Sequence, residues 1–177
     1  IMSATLDGMA LESLLPHAPV IRSEGRGFPI DYHYRPANRQ QWLDPQVGAV
    51  VLEALVSHTG SALVFLPGQG EIERLAQWLE GRLPDDVRLA PLYGRLDMAA
   101  QQAAIEPAPA GQRKLVLTTN VAETSLTIEG ISLVIDSGLE RRASFDLKSG
   151  VTRLETRQIA RASATQRAGR AGRLGPG

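Results

Sequence analysis

Ala62-Leu63-Val64-Phe65-Leu66 is an unbroken apolar run, and the apolar residues after it, Ile72, Leu75, Ala76, Leu79 and Leu83, recur at three- and four-residue steps. The first pattern is a strand covered on both faces, the second a helix with one buried side. The pair repeats downstream. Residues 87–92 read as a second strand and 97–105 as a second helix, 114–118 as a third strand followed by a short helical segment near Glu123, and 131–136 as a fourth strand. Upstream, Val47, Val50, Val51, Ala54 and Leu55 share one helical face, with Asp44 predicted as N-cap and Pro45 at the first helical position. Short apolar strands alternating with amphipathic helices predict an α/β domain, a parallel sheet flanked by helices.

The flanks read differently. Residues 1–5 suggest a strand end, and residues 6–15 a short helix or turn closed by Pro16. In residues 28–35, Ile30, Tyr32 and Tyr34 alternate with Asp31, His33 and Arg35, which predicts a half-buried strand. Beyond Asp136, residues 139–146 and 151–159 alternate weakly around Lys148-Ser149-Gly150, which predicts a protruding, arginine-rich β-hairpin. Such a hairpin serves either as a wedge that parts a duplex or holds a strand, or as a basic surface excursion. Ser163-Ala164-Thr165-Gln166 fits a capping box opening a last helix.

The chain has 177 residues, 43% of them apolar, and no cysteine. That length buries a single core without disulfides or a structural metal, and the missing thiols exclude cysteine nucleophiles and thiolate zinc sites. No apolar run approaches the roughly 20 residues of a membrane span, and no secretory signal is present, so the expected location is cytoplasmic. Nine basic groups face three acidic ones in residues 139–177, a balance of +6, and the preceding 138 residues carry −6. A basic block of this kind suits a phosphate-bearing partner or forms a solvated face.

Three stretches carry chemistry. In Gln166-Arg167-Ala168-Gly169-Arg170-Ala171-Gly172-Arg173 the arginines stand three apart, so a continued helix would line them along one face. Such a row grips a γ-phosphate and spreads the charge of phosphoryl transfer, or contacts nucleic acid nonspecifically as a basic helix end or RGG-like tail. Thr118-Thr119-Asn120-Val121-Ala122-Glu123-Thr124-Ser125-Leu126-Thr127 sets small neutral donors after a strand, where open α/β sheets bind ligands. Those hydroxyls suit a nucleic-acid backbone, or cap the next helix. Ser3-Ala4-Thr5 says nothing alone.

Taken in order, these stretches resemble motifs III, V and VI of superfamily 2 helicases, and the second and third look like the DEAH/RHA group in particular. Phe65-Leu66-Pro67-Gly68 with Glu71-Ile72 resembles motif IV, and Pro91-Leu92-Tyr93-Gly94 with Glu106-Pro107-Ala108-Pro109 resembles the block after it. The resemblance covers essentially the whole chain. It implies that residues 1–15 are the end of a first RecA-like domain with its linker, and that residues 16–177 are a second RecA-like domain, truncated at both ends. ATP then lies between the two domains and single-stranded RNA crosses both.

By motif position, the resemblance makes Arg170 and Arg173 the arginine fingers, with Gln166 placing the attacking water. Glu129, Ile105 and Ser125 fall on the nucleotide. Glu129 stands where many relatives carry an aspartate on the ribose. Ile105 stands where eukaryotic relatives carry a phenylalanine on adenine, and an aliphatic cover offers no π-stacking. Gly94, Thr119, Asn120 and Thr127 fall on the RNA backbone, and Ser3 and Thr5 on the coupling of hydrolysis to domain movement. The chain has no G-x-x-x-x-G-K-[ST] loop and no Asp-Glu-x-His box. Those parts, with the Mg²⁺ ligands, are therefore expected in the preceding domain, and this chain alone is expected to hydrolyse no ATP. The predicted whole is an ATP-dependent RNA helicase moving 3′ to 5′. A DNA translocase and a non-enzymatic RNA-binding module are the rivals, separated by RNA-against-DNA activation and by the upstream P-loop.

Other residues are not promoted. His17, His33 and His58 lack metal-ligand spacing, Trp78 reads as packing, and Asp85 and Asp86 as a solvated loop.

Overall fold

A computed structural model describes residues 27–38, 40–124, 126–147 and 150–177. The elements in chain order are α1 (Leu43–Ser57), β1 (Ser61–Phe65), α2 (Gln69–Leu79), β2 (Val87–Leu92), α3 (Met98–Ile105) and β3 (Arg113–Thr118), then α4 (Val121–Thr124), β4 (Ile131–Asp136), β5 (Leu139–Asp146), β6 (Val151–Gln158) and α5 (Arg161–Ala168). The expected α/β architecture holds: four parallel strands in the order β2-β3-β1-β4, helices on both faces, and a separate antiparallel hairpin of β5 and β6. Among the described residues no helix is long and apolar enough to cross a membrane.

β1 shows why its apolar run is unbroken. Every residue of it is buried, and alternate side chains enter two different cores. Ala62, Val64 and Leu66 pack with Val51 and Leu55 of α1 and Ile72, Leu75 and Leu79 of α2. Leu63 and Phe65 pack on the opposite face with Ala104 of α3 and Ala122 of α4. Full burial of one such leucine or isoleucine contributes roughly 1.5–3 kcal/mol. α1 and α2 meet closely where Trp78 lies against Gly48: a Cβ there would stand 2.3 Å from the indole ring. Trp78 is packing, as predicted, with the Arg82 guanidinium 4.6 Å from its ring centroid.

The strand order also places the crevice. β1 connects to β2 through α2 on one face, and β3 connects to β4 through α4 on the other. The carboxyl ends of the neighbours β1 and β3 therefore form a topological switch point, where open parallel sheets bind ligands.

Three local expectations fail. Residues 28–35 form no strand: Tyr32 is 57% exposed and Tyr34 85%. Among the described residues their alternation has no neighbouring strand to meet, and the segment instead lies along residues 172–177, with Phe28 N–H donating to Gly172 O at 3.0 Å and Asp31 N–H to Gly177 O at 2.7 Å. Gly172 is fitted to that approach, since a Cβ would stand 2.8 Å from Phe28 O. Asp44 is not the N-cap of α1. Trp42 takes that position, and Asp44, inside the helix and buried, accepts from Arg74 Nε at 2.8 Å. The capping box fails as well: α5 begins two residues before Ser163, after Ala160, with no side-chain cap. Asp85 and Asp86 lie in an accessible loop as expected, and Asp86, its side chain 46% exposed, also accepts from Arg113 Nε at 2.6 Å while Arg113 Nη1 donates to Leu55 O at 2.8 Å and to His58 O.

The hairpin agrees with its prediction. β6 is exposed throughout, and the turn closes through Gly150 at φ +66°. Its base is tied to the sheet domain: Arg141 Nη2 donates to Glu71 Oε1 at 3.0 Å, and the Arg141 side chain covers Gly68.

Candidate functional site

The three arginines of the 166–173 stretch do not share a helical face. α5 ends at Ala168, and Arg170 N–H donates to Arg167 O and Ala171 N–H to Ala168 O, two tight turns that swing the chain off the helix. Each arginine consequently has its own environment.

Arg167 is completely buried. Its Nε donates to Glu123 Oε2 at 3.1 Å and its Nη1 to Asp136 Oδ1 at 2.9 Å and Leu139 O at 3.3 Å, while the guanidinium lies 4.8 Å from the Phe65 ring centroid. The register explains the meeting point: Phe65 is paired with Asp136 on one side and Thr118 on the other, at the carboxyl end of the sheet. Arg167 thus joins β1, α4, β4 and the start of the hairpin. Sequence reading gave it no separate role, and nothing in a three-residue spacing distinguishes it from its neighbours.

Arg170 is buried and donates only to neutral oxygens, Glu123 O through Nε (3.1 Å) and Nη2, and Leu126 O through Nη1 (2.5 Å). Burial, then the Arg173 charge beside it, pushes its pKa below the ordinary arginine value, with Glu123 opposing. A guanidinium nevertheless keeps its charge. Arg173 is exposed and donates to Thr127 Oγ1 at 2.9 Å. Among the described residues neither Arg170 nor Arg173 forms an ion pair, because Glu123 gives its carboxylate to Arg167. Two adjacent cations facing neutral acceptors leave positive charge suited to an anion, and a small cleft lined by Leu126, Ile128, Arg170 and Arg173 opens beside them. Gln166, half-buried, precedes this group on α5.

The remaining predicted residues form two further groups. Gly94 and Asn120 are exposed and Thr119 half-buried, following the neighbouring strands β2 and β3 at the carboxyl edge of the sheet. Ala122 N–H and Glu123 N–H donate to Thr119 O and Asn120 O, so the hydroxyl-rich stretch starts α4 directly from the switch point. Thr127 is not with them. It lies past α4, on Arg173. Ile105, half-buried, ends α3, and Glu129 is exposed in the turn that Gly130 closes at φ +76° before β4. Ser3, Thr5 and Ser125 lie outside the described residues, as does the segment 1–15. Among the described residues no three His, Asp or Glu side chains converge on a common point.

The family model for the helicase conserved C-terminal domain matches residues 47–175. The chain is 55% identical, over its whole length, to the ATP-dependent RNA helicase HrpB of Escherichia coli K12, of which it covers 22%. It is 40% identical to the probable ATP-dependent RNA helicase DHX34 of Mus musculus, covering 17% of that protein. The crystal structure of the E. coli DEAH/RHA helicase HrpB superposes on 99% of the chain with a TM-score of 0.94, and the chain again covers 22% of it. The chain thus spans about a fifth of the length of the curated relatives it matches. Because the family match runs from within α1 to beyond Arg173 and takes in the sheet, the hairpin and the arginine turns alike, the chain belongs to the helicase C-terminal domain family.

Proposed function

We propose that this domain is the second motor half of an ATP-dependent RNA helicase, working across a cleft from a preceding RecA-like domain that supplies the P-loop and the Mg²⁺ ligands. The observation that carries the reading is the charge arrangement at the arginine turns. Arg167 takes both nearby carboxylates, leaving Arg170 and Arg173 on neutral oxygens. A γ-phosphate brought against them supplies the missing anion, and both guanidiniums serve as arginine fingers, with Gln166 orienting the attacking water. Arg170 reaches the phosphate by leaving Glu123 O and Leu126 O, which ties its movement to the stretch that holds Thr119 and Asn120.

Ile105 covers the base, Glu129 reaches the ribose and Ser125 contributes to the nucleotide site. Gly94, Thr119, Asn120 and Thr127 touch the RNA backbone, which neutral hydroxyl and amide donors hold loosely enough to let slide. Ser3 and Thr5 couple hydrolysis to domain movement. Repeated closure and opening move the protein 3′ to 5′ along RNA in the cytoplasm.

The test is ATP hydrolysis by the full-length protein with single-stranded RNA or DNA of matched length. RNA is expected to stimulate the wild type more than DNA, Arg173→Ala to lose about three powers of ten in rate while still binding RNA, and the 177-residue chain alone to show no turnover. A variant that binds RNA weakly and hydrolyses ATP normally refutes the finger assignment. Turnover by the isolated chain that Arg173→Ala abolishes refutes the two-domain arrangement.

A further inference from the structure

The last turn of α3 is held in an unusual way. Lys114, on β3, is 5% exposed, and its Nζ donates to Ala104 O at 2.7 Å, to Ala103 O at 3.2 Å and to Glu106 O. An ammonium has three protons, and here three carbonyls accept them. These carbonyls belong to the end of a helix, where backbone acceptors lack partners and where the helix dipole favours a cation. They also flank one residue. Ile105 lies between Ala104 and Glu106, so a single side chain grips the backbone on both sides of it.

The other bonds of that turn, Gln102 Nε2 donating to Glu106 Oε1 at 3.3 Å and Glu106 N–H to Gln102 O at 3.0 Å, stay within the turn itself and do not tie it to the sheet. α3 reads Met-Ala-Ala-Gln-Gln-Ala-Ala-Ile, and its one fully buried residue is Ala104, whose methyl contributes about 0.8 kcal/mol on burial. The helix's other end is capped by Asp97, which accepts from Ala100 N–H at 2.8 Å. At its carboxyl end the C-cap is Glu106, in extended conformation before Pro107, so no glycine turn closes the helix.

We infer that Lys114 is a positioning residue for nucleotide binding: by clamping the backbone around Ile105 it sets the height and angle at which that aliphatic side chain covers the base. The inference rests on the reading of Ile105 as base cover given above. Burial lowers the Lys114 pKa from its ordinary value, with the Glu106 charge opposing, which marks the cost of placing an ammonium there. A lysine that only tied α3 to the sheet would matter equally for every ligand of the domain. One that positions Ile105 matters for the base and not for the phosphates.

The experiment compares ADP with inorganic tripolyphosphate, which has phosphates and no base, by calorimetric titration of the full-length protein. Lys114→Met, which keeps the apolar stem, is expected to weaken ADP about four- to tenfold, the scale of uncovering one or two methylenes of Ile105, and tripolyphosphate by less than about twofold. Ile105→Ala is expected to give the same signature. KM for ATP rises in both while kcat stays within about twofold. If Lys114→Met does not fold, judged by circular dichroism, Lys114→Arg is titrated instead; it keeps the charge but cannot set three donors on three convergent carbonyls, and the same selective loss is expected.

Selective weakening of ADP by Ile105→Ala with no change in the Lys114 variant overturns the Lys114 role and leaves the Ile105 reading standing. No change in either variant overturns both. Equal weakening of ADP and tripolyphosphate by the Lys114 variant also overturns the inference, since the lysine is then structural only.

Discussion

Replacing Arg167 by methionine removes the charge that four elements share while keeping an unbranched stem over Phe65, where a thioether packs well on an aromatic ring. The loss follows from what is left behind. Glu123 and Asp136 keep their carboxylates with side chains 12% and 22% exposed, and the Leu139 carbonyl loses a donor. Breaking a fully buried ion pair by removing one partner costs about 3–5 kcal/mol, and partial access of water to both carboxylates places this case at the lower end, about 3 kcal/mol. In a domain of this size that corresponds to a drop of roughly 6–12 °C in thermal midpoint.

The assay is urea and thermal unfolding of the 177-residue chain, with hydrogen exchange read at α4 and at the base of the hairpin, where protection should fall first. Adding Glu123→Gln to Arg167→Met should recover part of the loss, because one of the two stranded charges is gone. A loss under about 1 kcal/mol, or no recovery in the double variant, refutes the account of Arg167 as the tie between β1, α4, β4 and the hairpin.

Two further outcomes follow from the packing and the ion pairs. Gly48→Ala gains about 1 kcal/mol of helix propensity but sets a Cβ 2.3 Å from the Trp78 ring, so a net loss of about 1–2 kcal/mol is expected, with recovery on adding Trp78→Leu; unchanged unfolding of the single variant contradicts the close approach of α1 and α2. The hydrogen bond from Arg113 holds Asp86 below its ordinary pKa of 3.8. A carboxyl depressed in the folded state stabilises above its unfolded pKa and loses that contribution as pH falls through the folded one, so below pH about 4 the wild type should lose stability more steeply than Asp86→Asn. Parallel acid profiles for the two proteins dispose of that linkage.

How legible the molecule was in its sequence depended on whether the signal was local. The runs at 62–66 and 131–136 and the helical spacing of Ile72, Leu75 and Leu79 place strands and helices because burial on two faces or one dictates those periods. The hairpin was legible instead from its turn, with weak alternation around Lys148-Ser149-Gly150, since β6 is exposed throughout. Residues 28–35 show the limit: alternation signals a pleat, but a strand forms only beside another strand, and none runs there among the described residues. Asp44 and Ser163 are sound caps in isolation, yet Asp44 is claimed by Arg74, thirty residues away, and α5 begins before Ser163.

The arginines mark the same division. The sequence by itself determined that three guanidiniums follow one another at intervals of three, after a stretch rich in hydroxyls. Only the tertiary structure decided which does what. Arg167 is sequestered because the strand order brings Glu123, 44 residues away, and Asp136, 31 residues away, to the end of β1, and Arg170 and Arg173 are left with neutral oxygens because those carboxylates are taken. Spacing sets which side chains can line up, whereas the competition for a few buried counter-charges is settled by which distant strands lie side by side.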